Sequence, residues 1–491
     1  MIAGAAFAAL LDVSATLTVT DETQLRGHAY STPGAPQPAN QPGVEPPVGF
    51  DLVNKPTARF VALGHRAMYW IGNALTLTLP DLEQGFSQPS IDDPELFDIA
   101  SVGALWQLSR RTTFYVNEDG GGGTQNFANL APLTTGLGTG PPVINNQIAP
   151  SDKPLVLFRS STTATLTNVL SRTWSATETL NYLIGGGTDA YARAQIPVAN
   201  AGTATVSLHD RVSRTETFLA TASVLYERFS SIPSVTPCNS LAGTPPPTPT
   251  AATTALNSGG MPMLQTLQNE RVANLLANEI PTPLCRLSGG TAVAEVGVET
   301  RLSRTTDLSI LAGIAGYHLT IDTLSLPTPG TLVSNEPAPA GSITFRDRLA
   351  GVPGLEVIGI PTDLETTDAS WQGELVLDAQ VMPITDFRSG VIDPRWQADA
   401  IMRERVGRWT VEATASYFQS LDVNEIYAVA AATAQLDFAY RINRRLDFGA
   451  LLRGRWQDTR GGTTGLAWMP SLFADVSAVL TVHPLPIRFG E

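Results

Sequence analysis

The feature that most constrains this chain is an alternation of period two, sustained over segments of twelve to sixteen residues. In residues 292–302, Ala292, Ala294, Val296, Val298 and Leu302 share one face, and Glu295, Gly297, Glu299 and Arg301 share the other. In 433–442, Ala434, Leu436, Phe438, Tyr440 and Ile442 oppose Thr433, Gln435, Asp437 and Arg441. In 446–457, Leu446, Phe448, Ala450, Leu452 and Trp456 oppose Asp447, Arg453, Arg455 and Gln457. Period two marks a strand with two unlike faces. A sandwich alternates as well, but its strands usually run only about five or six residues. Here the segments are long, and the polar face carries charge at mid-strand.

The strands are punctuated by a recurring mark, an aliphatic residue followed by Ser-Arg and Thr. It reads "WQLSRRTTF" at 106–114, "NVLSRTWSA" at 168–176, "DRVSRTETF" at 210–218 and "ETRLSRTTDLSIL" at 299–311. Looser copies are "ERVGRWTVE" at 404–412 and "YRINRRLDF" at 440–448. The apolar residue two before the arginine and the one four after it share a face, as Leu302 and Leu308 do. That symmetry predicts an odd hairpin loop of three or five residues centred on the residue after the arginine. Ser, Asn or Gly opens the turn through local side-chain hydrogen bonds or a permissive backbone. Between these terse marks stand long connections rich in Pro, Gly, Ser and Thr.

Long two-faced strands with short turns at one end and long loops at the other describe a transmembrane barrel. Tryptophans support the frame. Trp106, Trp174 and Trp409 sit beside short turns, and Trp371, Trp396 and Trp456 are expected near the opposite strand ends, all on the apolar face. Two aromatic belts around a band of Ala, Val, Leu and Ile are what two lipid interfaces select. Trp70 is ambiguous by parity, and a bulge near Gly72 would place it outward. No stretch approaches the ~18–20 apolar residues of a membrane-spanning helix.

The chain therefore resembles the Gram-negative outer-membrane β-barrel proteins, porin-like in the broad sense, through architecture and not through one diagnostic motif. Its arginine-rich turns are also similar to barrels of high-GC proteobacteria such as the myxobacteria. In that family the last strand ends on an aromatic residue; here Phe489 is third from the end and prolines precede it. The resemblance implies an integral outer-membrane location, outer-membrane lipid as the surroundings, and passage of small solutes. The fold expected is all-β, a single antiparallel up-and-down barrel of about eighteen strands, with sixteen as the alternative. Residues 12–484 form this barrel, 1–11 are the remnant of an export signal or an N-terminal tail, and 485–491 are a C-terminal tail.

Long extracellular loops are expected near 27–55, 81–96, 120–153, 185–200, 230–289 and 323–340. The run "GGGG" at 120–123 reads as flexible loop. Segment 230–289 holds Cys238 and Cys285, which fit a disulfide made in an oxidising compartment, and a helically spaced piece from Pro262 to Pro281.

With net charge −14 and two lysines, Lys55 and Lys153, the chain has no basic cluster for nucleic acid. The five histidines (28, 65, 209, 318, 483) do not gather with the cysteines as metal ligands would, and no cofactor motif is present. Catalysis needs a base within reach of a nucleophile. Ser207 and His209 share a face but lie ~7 Å apart on one strand. The inner wall is expected to be uneven. Its first half is lined by Thr16, Thr18, Thr76, Thr78, Thr177, Thr179, Thr203, Thr205 and Thr221. Its last third carries pore-lining charges at Glu374, Asp378, Asp399, Arg403, Glu412, Asp437, Arg453, Arg455 and Asp475. This reads as a channel for small polar or charged solutes. The alternatives are a structural or surface-binding barrel whose loops block the lumen, or an outer-membrane hydrolase. Homo-oligomerisation stays open, since the sequence shows no flat outward face.

Overall fold

The structure is a computed structural model, and the residues it describes are 14–31, 48–79, 94–125, 155–189, 192, 198–233, 284–323, 331–334, 337–348, 371–385, 392–421, 429–459 and 472–489. Their strands, in chain order, are β1 (Ser14–Ser31), β2 (Val48–Leu63), β3 (Ala67–Leu79), β4 (Glu95–Gln107), β5 (Thr112–Gln125), β6 (Leu155–Val169), β7 (Trp174–Gly187) and β8 (Val198–Arg211). Then come β9 (Glu216–Pro233), β10 (Leu284–Arg301), β11 (Thr306–Thr323), β12 (Thr331–Ser334), β13 (Pro337–Arg348) and β14 (Trp371–Thr385). The last are β15 (Ile392–Val406), β16 (Trp409–Ser420), β17 (Val429–Asn443), β18 (Leu446–Thr459), β19 (Leu472–Val482) and β20 (Ile487–Phe489).

Each long strand pairs antiparallel with its sequence neighbours, and β1 pairs with both β2 and β19, which closes the sheet. The result is an 18-strand barrel. The short β12 lies against the top of β11 and is additional to the wall. Pro484 and Pro486 lack the N–H a ladder needs, so β19 stops at Val482. The chain then resumes as β20, which sets Phe489 opposite Ala15 of β1. Part of the stretch expected as a tail thus adds to the closure.

The alternation maps onto the two faces of the cylinder. Outward lie Val296, Ile310, Ile314, Leu436, Phe438, Phe448, Leu452 and Val476, all exposed. Inward lie Glu295 of β10, Asp378 of β14, Gln397 of β15 and Asp475 of β19, all buried. A closed wall with apolar side chains outside satisfies every backbone group by strand pairing and needs no water to do so.

The recurring mark is a three-residue turn. Ser303 Oγ accepts hydrogen bonds from the amides of Thr305 (3.1 Å) and Thr306 (3.0 Å). Ser171 Oγ does the same for Thr173 (3.2 Å) and Trp174 (3.0 Å), and Ser213 Oγ for Thr215 (3.1 Å) and Glu216 (3.0 Å). Asn443 Oδ1 likewise takes the amide of Arg445 at 2.8 Å, although this copy is a two-residue turn in which Asn443 opposes Leu446 after a register shift. The centre of the loop differs from expectation by one position. Arg301 pairs with Asp307 and Val169 with Ser175, so the turns are symmetric about Arg304 and Arg172 themselves. The serine must precede the tip by one residue for its oxygen to reach both amides. Even and odd residues keep their faces, so Leu302 and Leu308 remain on the same side. The copy at 404–412 is a two-residue turn, with Gly407 at φ 60 in the left-handed region, where a side chain would be strained.

Other expectations change. The "GGGG" run is not loop; it lies in β5, paired with both β4 and β6. A Cβ on Gly121 or Gly123 would strike the β4 backbone, and Gly123 has φ +150, so glycine lets the strands close where other residues could not. Several strands also reach farther toward the loop side than expected: β2 begins at Val48 and β10 at Leu284. Trp70 faces inward with no bulge, since the β2–β3 pairing is regular from Leu63–Met68 to Leu52–Leu79. Its Nε1–H bonds Asn117 Oδ1 at 3.0 Å, which satisfies the buried indole. Trp371 pairs with Val406, next to the Gly407 turn, so it stands at the short-turn end and not the opposite one.

The inward and outward faces predict unequal tolerance of charge. Leu436→Arg, outward at mid-strand, is expected to lower unfolding stability in lipid vesicles by about 2–4 kcal/mol. Thr205→Arg, inward among hydroxyls, is expected to cost about 1 kcal/mol or less. Denaturant titrations of the two variants in one lipid check the contrast; equal losses would contradict the assignment of faces.

Candidate functional site: the inner wall

All nine residues expected as pore-lining charges have inward register. Glu374 and Asp378 come from β14, Asp399 and Arg403 from β15, Glu412 from β16, Asp437 from β17, Arg453 and Arg455 from β18, and Asp475 from β19. Antiparallel pairing places them side by side. Glu374 lies opposite Arg403, Asp378 opposite Asp399, Arg403 opposite Glu412, Glu412 opposite Asp437, and Arg453 opposite Asp475. The wall is a continuous charged surface and not a set of isolated groups.

Its polar atoms are engaged in three ways. Ion pairs join Arg453 to Asp475 at 3.0 Å, Arg403 to Glu412 at 3.2 Å and Arg346 to Glu374 at 3.3 Å. Neutral donors hold two carboxylates: Thr344 Oγ1 donates to Asp378 at 2.5 Å, and Gln397 Nε2 donates to Asp399 at 2.6 Å. Hydroxyl contacts line the earlier strands, where Thr205 meets Ser223 at 3.1 Å, Ser207 meets Thr221 at 3.3 Å and Thr165 meets Thr179 at 3.3 Å. The nine threonines expected to line this half all have inward register.

Sequence reasoning missed part of the wall. Arg26 of β1 pairs with Asp51 of β2 through Nε at 2.8 Å, both side chains almost wholly buried. Lys55 reaches Glu22 at 3.3 Å, and Gln24 donates to the same carboxylate at 2.5 Å. Glu295 of β10 completes the acidic arc with Asp378 and Asp399. Lys55 and Asp51 fell in a stretch read as loop, although Phe50, Leu52 and Phe60 share one face as in a strand. Arg59 and Asp119 also face inward on β2 and β5.

The six tryptophans separate into two levels. Trp106 stacks on Phe114 at 5.7 Å and donates to Tyr69 Oη at 3.0 Å, while Trp409 packs on Phe438 and Tyr440 at 4.7 and 4.3 Å, all at the turn end. Exposed Trp174 shares that level. Trp396 packs on Tyr417 at 4.8 Å and Trp456 is exposed outward, at the other end. Trp371 joins the turn-end level by register. Aromatic belts at both ends of an apolar band anchor a barrel at two lipid interfaces.

The histidines are dispersed. Ser207 gives its hydroxyl to the contact with Thr221, and His209 lies opposite Ser175 and Leu219. His65 is in the β2–β3 turn, His318 faces outward, and His483 sits 3.0 Å from Asp447 at the rim. Cys238 and the 262–281 segment lie outside the described residues, as do most of the expected loops and residues 1–13.

A closed 18-strand wall, apolar outside, polar inside and belted with aromatics, defines an integral outer-membrane β-barrel of porin-like architecture. No protein-family model and no curated protein matches the chain. Solved outer-membrane proteins align along nearly its whole length at very low identity. OccAB3 of Acinetobacter baumannii covers 97% of this chain and 99% of its own, at 6% identity and TM-score 0.39. OpdK of Pseudomonas aeruginosa covers 97% and 99% at 7% identity and TM-score 0.37. A BenF-like porin of Pseudomonas fluorescens Pf-5 covers 97% and 99% at 6% identity and TM-score 0.38. The architecture stands on the strand pairing and not on these likenesses.

The Arg453–Asp475 pair yields a stability prediction. Asp475→Asn leaves the guanidinium without its counter-charge beside a nearly inaccessible group, and is expected to cost about 2–3 kcal/mol because Arg453 keeps some access to the lumen. Replacing both with leucine is expected to be close to neutral. A four-variant unfolding cycle measures the coupling.

Proposed function

We propose that this protein is a passive outer-membrane channel for small polar or charged solutes. The observation that carries the reading is the inner wall itself. A barrel of this size leaves an aqueous passage unless something fills it, and this wall presents hydroxyls, paired ions and carboxylates at mid-strand. Charges tolerated inside a membrane protein are hydrated, paired or both. Asp378, Asp399 and Glu295 form an acidic arc, while Arg453 and Arg455 lie on β18 and face the same lumen. Opposite signs on one wall set up a transverse field, which sorts solutes by charge as they pass. The hydroxyl-lined strands β6 to β9 offer neutral hydrogen-bonding partners that replace part of a solute's water shell.

Purified protein in planar bilayers is expected to give stepwise conductance; a silent bilayer with intact barrel would favour a blocked lumen. Asp378→Asn combined with Asp399→Asn is expected to move the reversal potential toward anion preference. Arg455→Gln is expected to move it the opposite way. Shifts of ~10–20 mV across a tenfold salt gradient are expected, against a limit of ~59 mV for a monovalent ion. Unchanged potentials in both variants would remove the electrostatic part of the proposal.

A further inference from the structure

The apolar character of the outer surface fails in one sector. On β10 to β19 the outward positions between the aromatic levels are Ala, Val, Ile, Leu, Met, Phe, Gly and Pro almost throughout, with Glu404 near the turn end and His318 toward the opposite end as exceptions. On β1 to β7 the same positions include Asp21, Asn54, Asn73, Asp98, Glu118 and Glu178. Register leaves no doubt about the face. Asp21 alternates with Val19 and Leu25, Asn73 with Ile71 and Leu75, Glu118 with Phe114 and Val116, and Glu178 with Trp174 and Leu180. Asn73, Asp98 and Glu178 are exposed.

These groups are organised. Asn54 Nδ2 donates to Asp21 at 2.8 Å and to Thr23 Oγ1 at 3.0 Å. Asn73 Nδ2 donates to Asp98 at 2.7 Å. Glu118 accepts from Ser160 at 2.6 Å and from Thr162. Depth follows from strand geometry. Glu118 lies four residues beyond Phe114, ~13 Å along a tilted strand, so it falls well inside an apolar band ~25 Å tall. Carboxylates at this depth are costly against hydrocarbon. Intramolecular bonds satisfy only part of their acceptor capacity.

We infer that the outward face of β1–β7 is an interface buried against a second copy of this chain, closing a homo-oligomer within the membrane. Three observations favour a copy over another occupant. An identical barrel carries the same aromatic levels, so its polar sector sits at the same depth without adjustment. The sector offers both kinds of hydrogen-bonding group, carboxylate oxygens of Asp21 and Asp98 and the second amide N–H of Asn73, which one copy can present to the next. Its extent also fits: six strand spacings of ~4.8 Å by ~25 Å give on the order of 700 Å² per partner, close to the ~800 Å² of a stable interface. Gly120 and Gly122 beside Glu118 keep the sector flat, and a Cβ on Gly120 would meet nothing within 4 Å, so the fold of one barrel does not require glycine there.

The test is the mass of the full-length protein extracted into native-lipid nanodiscs. The unaltered chain is expected at a small multiple of one chain's mass and free of other proteins. Asp98→Leu combined with Glu118→Leu, which suits lipid, is expected to give single barrels with unchanged β-sheet circular dichroism. Gly120→Leu, whose Cβ would meet nothing within 4 Å, is expected to do the same and serves if the double variant does not fold. A wild-type mass of one chain, a complex with a different protein, or multimers that persist in the variants would each overturn the inference.

Discussion

Everything in this molecule depends on one requirement: inside hydrocarbon, each backbone N–H and C=O must find a partner within the protein. Closure of β1 onto β19 meets it by leaving the sheet without a free edge. Once the wall is closed, the pleat allots every second side chain to lipid and every other one to the lumen. The long strands, the two aromatic levels and the short turns are consequences of that division. Even the proline-interrupted end of the chain obeys it, since β20 covers the lower part of β1 where β19 has stopped.

The lumen solves a different problem. Its charges stand close together, yet pairing across adjacent strands places Arg453 against Asp475 and Arg403 against Glu412. Where no counter-ion stands alongside, threonine and glutamine donate instead, as at Asp378 and Asp399. Strand register decides which solution each carboxylate receives. A shift of one residue would send these groups to lipid and the leucines inward. The wall is thus both the brace of the barrel and the surface a solute would meet. The outward sector on β1–β7 departs from the same rule, and a charged group facing outward at mid-depth implies protein beyond it.

Much of this was legible beforehand. Alternation in 292–302, 433–442 and 446–457 identified two-faced strands, and counting them gave the eighteen of the barrel. Parity alone placed nine charges and nine threonines on one face, because the period of a strand is fixed by its geometry. The Ser-Arg mark revealed the hairpins, since a serine at the start of a tight turn has amides within reach. Where the reading failed, local signals were weak or misleading. Four consecutive glycines have no strand propensity, yet two neighbouring strands draw them into β5. Lys55 and Asp51 stood in a Pro-rich neighbourhood whose composition resembled a loop.

The sequence by itself determined the number and two-sidedness of the strands, because side-chain alternation is a local property of the extended backbone. Only the tertiary structure decided which side chains meet, because register between strands distant in sequence is a property of the closed sheet. The Arg26–Asp51 pair, the inward turn of Trp70 and the gathering of Asp21, Asp98 and Glu118 on one outer sector all arise at that level.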